Sequence, residues 1–149
     1  MELSTAMLAD GAQEAGGKLY VLGGQWNRIF VAKLPAQHPS MALVLVIKVE
    51  YSEALIPHPL TVELMLDGHP QDVRGVYQLR TGHEPMQARG APSYAPLALT
   101  FANVTLEHPG RYEWVITSGE HELGRLPMEV VQANMPELPM PTPPAPPAD

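Results

Sequence analysis

The sequence contains no cysteine, which removes disulfide staples, thiolate metal ligands and a cysteine nucleophile together. Bases are also scarce: nine Lys and Arg stand against sixteen Asp and Glu, for a formal net charge of -7. Lys18, Arg28, Lys33, Lys48, Arg74, Arg80, Arg89, Arg111 and Arg125 are spread along the chain. No stretch therefore offers the concentrated positive field that nucleic acid requires. Long apolar runs are missing as well. The longest, Met41 to Ile47, is far short of the ~20 residues of a membrane-spanning helix. The opening stretch, "MELSTAMLADGAQ", carries an acid where a secretory signal has bases, and no continuous apolar core follows. These absences predict a cytoplasmic protein with neither nucleic acid nor membrane as partner.

What is present is a globular composition with an uneven distribution of proline. Apolar residues make up 45% and charged residues 17% of 149, a length suited to one domain with a single core. The prolines concentrate at the C-terminus in "NMPELPMPTPPAPPAD", which has too little apolar content to offset its ordering entropy. The expected organisation is a folded domain over 1–133 and a disordered, extended, proline-rich tail over 134–149. The tail has PxxP spacings at Pro136 to Pro139 and Pro144 to Pro147, but without basic flanks it reads as a solvated spacer.

Period-two alternation runs through the rest. "LTVELML" sets Leu60, Val62, Leu64 and Leu66 on one face, and "GRYEWVIT" does the same with Tyr112, Trp114 and Ile116. In "PLALTF" the inward set is Leu97, Leu99 and Phe101; in "RLPMEVV" it is Leu126, Met128 and Val130, with Pro127 demanding an edge or a bulge. "MALVLVIKV" is apolar on both faces and predicts a central, doubly covered strand. Gly-Gly, Asp-Gly and Ser-Gly pairs punctuate these runs. About nine strands result, at Leu3–Ala9, Lys18–Leu22, Asn27–Ala32, Met41–Glu50, Leu60–Asp67, Val73–Arg80, Ala95–Ala102, Arg111–Thr117 and His121–Val131. The predicted fold is an all-β, antiparallel β-sandwich of immunoglobulin-like or C2-like type. Thr81 to Pro96 is its longest loop, with a packing or mobile role placed ahead of a functional one.

Every motif that carries chemistry fails on a specific position. "GAQEAGGKL" approaches a phosphate loop, but its spacing is one residue too long and Leu19 replaces the metal-binding hydroxyl. Gly23-Gly24 follows the run "KLYVL", yet "QWNRIF" alternates afterwards where a dinucleotide site needs a helix. The pair therefore predicts a bend from the second strand into the third, with Trp26 covering the core beyond it. "HELGR" puts Arg125 where a zinc protease needs its second histidine. No serine lies in a nucleophile elbow. Glu50 with Glu53, and Glu120 with Glu122, read as surface charge. Of six histidines, His38, His58, His69 and His108 each precede a proline. This predicts loop positions, and convergence at one end of a sandwich makes them the candidate metal ligands. No cofactor is implied. Tyr20, Tyr51 and Tyr94 fall outside the inward sets and are candidates for a contact surface.

Two resemblances add to this reading. "LEHPGRYEW" resembles the turn into a late strand of immunoglobulin-like domains, where Gly110 and Tyr112 enter the strand and the tyrosine hydroxyl ties back to upstream backbone. Trp114 stands where such domains carry cysteine, so the likeness is to their disulfide-free relatives. More broadly, "GKLYVLGG", Trp26, "LPAQHP", the strand ending in Asp67-Gly68, "PGRYEW" and "LPMEV" resemble an uncharacterised family of small bacterial proteins, frequent in actinobacteria and known only as a domain of unknown function. That resemblance implies a compact all-β domain and no activity, cofactor or catalytic residue. The expected function is a non-catalytic binding or accessory module with a protein partner or a homo-oligomer. The alternatives are a small-ligand or metal-binding protein using the His-Pro segments and a structural subunit joined through sheet edges.

Overall fold

A computed structural model describes residues 1–134; the expectation of a disordered tail concerns residues that, from 135 on, lie outside it. Nine strands occur among the described residues: β1 (Glu2–Ala15), β2 (Lys18–Trp26), β3 (Arg28–Val31), β4 (Ala36–Val49), β5 (His58–Leu66), β6 (His69–Leu79), β7 (Ser93–Leu106), β8 (Gly110–Ser118) and β9 (His121–Gln132). One 3₁₀ turn, Tyr51–Glu53, separates β4 from β5. The strands form two packed sheets, ordered β2-β1-β4-β7 and β3-β9-β8-β5-β6.

Between the sheets lies the core that the alternation predicts. Leu60, Val62 and Leu64 of β5 and Tyr112, Trp114 and Ile116 of β8 are buried against Leu43, Leu45 and Ile47 of β4. Phe101 packs on the Trp114 ring with centroids 4.7 Å apart. In β7 the inward positions are Ala95 and Leu99, then Val104 and Leu106. The phase changes at Asn103, which takes a left-handed conformation, φ +51, while the pairing with β4 stays in register across it, Ala102 beside Ser40 and Val104 beside His38.

Tight turns account for the hairpins. Gly16-Gly17 (φ +59, +76) joins β1 to β2, and Asp67-Gly68 (φ +47, +79) joins β5 to β6. Both are two-residue loops with positive φ throughout, the geometry whose twist matches paired strands. The turn from β8 to β9 is Gly119-Glu120, since Ser118 pairs with His121; the loop lies one residue beyond the Ser-Gly pair.

One pairing departs from the antiparallel expectation. β3 runs parallel to β9, with Arg28 beside Glu129 and Val31 beside Gln132. The cause is a sheet change: β2 ends in the first sheet, and after Asn27 the chain enters β3 in the second without reversing. Pro127 lies just before β3's partners begin, so on that side of β9 its missing N–H leaves no ladder bond unmade.

Candidate interaction surface

β4 lies between β1 and β7 and is buried on both faces, as its composition predicts. Its outward-facing Ala42 and Val44 are fully buried in a second apolar cluster with Ala9, and Met7, Ala12 and Leu19 pack against it. Ala12 and Leu19 belong to the β1–β2 hairpin, so that hairpin covers part of the first sheet's outer face.

The hairpin's glycines shape it. At its tip, the Glu14 carboxylate accepts a hydrogen bond from the Gly17 N–H at 2.8 Å. Gly23 has φ +57, and a Cβ built there would collide with Asp10 Oδ2 and stand 2.8 Å from Asp10 Cγ. Gly24 brings its backbone close to Met7 and Val21; a Cβ there would stand 3.2 Å from Met7 Sδ. The pair does not form the predicted bend between β2 and β3, because both glycines lie inside β2. The turn comes later. Gln25 (φ +67) breaks the pairing register with β1, and Asn27 carries the chain across. Trp26 packs against the core, its ring 5.8 Å from that of His38.

Above the hairpin the surface is apolar. Tyr20 and Leu22 are 59% and 75% exposed, Val21 is exposed beside them, and together with Gly11 and Ala12 they line an open depression of about 460 Å³. β2 is an edge strand and Lys18 is its only charge. The other edges differ: β3 has four residues, β6 carries Asp72 and Arg74, and β7 is interrupted by Pro96 and the left-handed Asn103. Each of those features discourages strand addition. Of the three tyrosines singled out for contact, Tyr20 and Tyr94 are exposed, whereas Tyr51 stacks on His83 at 4.1 Å.

The histidines sit mainly in strands. His38 lies within β4; His58 and His69 open β5 and β6; His108 alone lies in a turn. His58 Nε2 meets the Glu53 carbonyl oxygen at 2.7 Å and His69 Nδ1 that of Asp67 at 3.1 Å. Among the described residues, no three His, Asp or Glu side chains gather where they could hold a metal. The loop position fails because a residue before proline is extended, and extended backbone continues a strand as readily as it makes a turn.

The remaining polar groups tie the sandwich together. Two open clefts of about 570 and 580 Å³ lie at strand ends, the first beside Arg28, Asp67 and Arg111, the second between β6 and β7. In the first, Arg28 is bound to Glu129 at 3.0 Å, and Glu113 is held by Arg125 at 2.9 Å. Arg125 also binds Glu122, whose carboxyl this hydrogen bond holds below the usual range; the same contacts raise the Arg125 guanidinium. Lys48 is raised by its hydrogen bond to Glu50. At the other end of the fold, Glu53 receives the Met1 ammonium on both oxygens at 2.7 Å, which lowers its pKa. In the loop before β7, Gln87 braces its own turn through Ala91 and Ser93, and no serine among the described residues is hydrogen-bonded to a histidine.

The late-strand constellation forms as its sequence predicts. Gly110 opens β8 at φ +139, and the buried Tyr112 donates its hydroxyl proton to the His108 carbonyl. Sequence reasoning missed Asp10, whose place against Gly23 is set by cross-strand pairing and has no local signal.

These features define a nine-strand all-β sandwich with an apolar edge hairpin. The chain belongs to a family of unknown function (DUF6941), which it matches over residues 4–131. No curated protein and no solved structure matches it. Among the described residues, no helix is long and apolar enough to cross a membrane.

Proposed function

We propose that this protein is a non-catalytic binding module whose contact surface is the β1–β2 hairpin. The observation that carries the reading is edge strand β2, where Tyr20, Val21 and Leu22 are exposed in succession and Lys18 is the only charge. Free edges are ordinarily blunted by charge, proline or irregularity. The run Lys18 to Leu22, which precedes the left-handed Gly23 and Gln25, is an apolar edge that fits a surface kept for association.

We read the sandwich as immunoglobulin-like. Three observations support this over the C2-like alternative: the parallel β3–β9 pair, the order β3-β9-β8-β5-β6 and the Tyr112 hydroxyl tied to His108. The fold alone does not assign a partner. The small-ligand reading has less support, because the histidines are dispersed and, of the charges lining the first cleft, Arg28, Glu113 and Glu129 are engaged in ion pairs.

A photoreactive benzoylphenylalanine in place of Tyr20 tests the surface in cells. Protein adducts are expected at this position, with few when the probe replaces Val76, an exposed residue of β6. Equal labelling at both, or none at Tyr20, overturns the reading.

A further inference from the structure

Independently of β2, we propose a second contact surface on two joined loops, 50–57 after β4 and 80–92 before β7. Its occupant is an acidic peptide segment, bearing large apolar side chains, of a protein partner. The loops lie at the end of β4 opposite the β1–β2 turn, since Glu2 pairs with Lys48 and Ala9 with Ala42. They are fastened to each other: the Leu55 N–H donates to the Thr81 carbonyl at 2.9 Å, and the Tyr51 ring stacks on His83. Within the second loop, Gln87 Nε2 donates to the Ala91 carbonyl and to Ser93 Oγ, and the Ser93 hydroxyl donates to the Gly82 carbonyl. A surface braced in this way has little ordering entropy left to lose on binding.

Leu55 carries the inference. It is left-handed, φ +68, and among the described residues the other non-glycine positions of that kind are Gln25, Asp67 and Asn103, all polar. That conformation disfavours a leucine, and a glycine would make the same bond to Thr81 without the strain. The Leu55 side chain is 52% exposed, so its burial offsets little of that strain. Ile56 beside it is 53% exposed. Met86 is 95% exposed, in the turn closed by the Gln87 N–H on the Glu84 carbonyl. Strain that holds an apolar side chain in solvent points to a partner that covers it.

Charge selects the partner. Glu50 and Glu53, the acids of the first loop, are engaged by Lys48 and by the Met1 ammonium. On the second loop Arg80 and Arg89 make no ion pair among the described residues, and one acid, Glu84, stands with them. In a chain of net charge -7 these loops therefore carry an excess of base, which favours an acidic segment and steers its approach. Leu55, Ile56 and Met86 serve as its apolar anchors and the two arginines as its charged contacts.

Selection of random peptides displayed on phage against the immobilised full chain tests this. The enriched peptides are expected to combine Asp or Glu with large apolar side chains. A synthetic copy of the strongest should bind in calorimetry and lose about tenfold or more in affinity to each of Leu55→Gly, Ile56→Ser and Met86→Ser. Arg80→Glu combined with Arg89→Glu should weaken it as much and flatten its salt dependence. Tyr20→Lys, on the hairpin, should leave the affinity unchanged, and circular dichroism confirms that each variant is folded. Leu55→Gly is diagnostic, because it should raise the Tm while it weakens the peptide. A lower Tm in that variant shows a leucine kept for the fold and overturns the proposal. So does the absence of any enriched peptide, enrichment of peptides without acids, or an affinity indifferent to these residues. Loss of binding in Tyr20→Lys alone puts the peptide on the hairpin and overturns this second surface while sparing the first. Binding to vesicles of phosphatidylglycerol and phosphatidylcholine instead, lost in the same loop variants, makes the surface a membrane contact and overturns the peptide.

Discussion

The hydroxyl of Tyr112 donates a 2.7 Å hydrogen bond to the carbonyl oxygen of His108, four residues upstream, and so closes the corner between β7 and β8. The ring is buried, and this burial raises the phenol's pKa. Removing the hydroxyl in Tyr112→Phe leaves the carbonyl without this partner and is expected to cost about 1–2 kcal/mol in urea denaturation. The raised pKa makes the tyrosine's contribution full below the unfolded value near ~10 and lost as pH rises through the folded value. Stability measured above that range should fall more steeply in the wild type than in the phenylalanine variant.

Glu53 and the Met1 ammonium fasten the start of β1 to the turn after β4. The Glu53 pKa is lowered, so its contribution is present above the unfolded value near ~4.3 and lost as pH falls through the folded one. Glu53→Gln should reduce stability at neutral pH by under about 1 kcal/mol, the carboxylate being partly solvated. Its denaturation midpoint should also change less between pH 6 and pH 3 than that of the wild type, which a pH series of urea melts measures.

Gly23 is left-handed with Asp10 against its Cα. Gly23→Ala should cost about 1–2 kcal/mol through backbone strain and displacement of that carboxylate. Gly24→Ala should cost less, because Gly24 has an ordinary φ and the nearest obstacles are side-chain atoms of Val21 and Met7. Thermal melts of the two single variants check the order, and equal losses would refute it.

Val44 lies under the hairpin, outside the main core. Val44→Ala should cost about 1–2 kcal/mol. Its particular signature is faster amide exchange over residues 11–22, with β5 and β8 still protected. A uniform increase along the whole chain would show that the hairpin is not a separable layer.

Much of this fold was legible because burial between sheets writes itself as period two: Leu60 to Leu64 and Tyr112 to Ile116 needed no other signal. Tyr112 was equally readable, since its role depends on neighbours in sequence. Contacts between distant residues left no such trace. Nothing near Arg28 announces that β3 will lie parallel to β9. Gly23-Gly24 suggests a bend, but a left-handed glycine can lie within a strand whose pairing stays in register across it. β1 continues to Ala15, beyond the expected Ala9, because its later residues pair with β2 while burying little. Of the proposed contact surface, Tyr20 was legible as an aromatic outside the inward sets, whereas the place of Asp10 against Gly23 was not.

The parallel β3–β9 pair also sets how the domain bears load. The chain enters β3 at Arg28 and leaves β9 after Gln132, at opposite ends of one short ladder. Tension drawing Arg28 and Gln132 apart runs along both strands in opposite senses and loads the ladder in shear, its bonds sharing the force together. The β8–β9 hairpin, pulled at its open end between Gly110 and Val130, would instead unzip, its bonds breaking in succession. The domain should therefore resist stretching most along the line from Arg28 to Gln132, a directional stiffness that single-molecule pulling from engineered attachment points can measure.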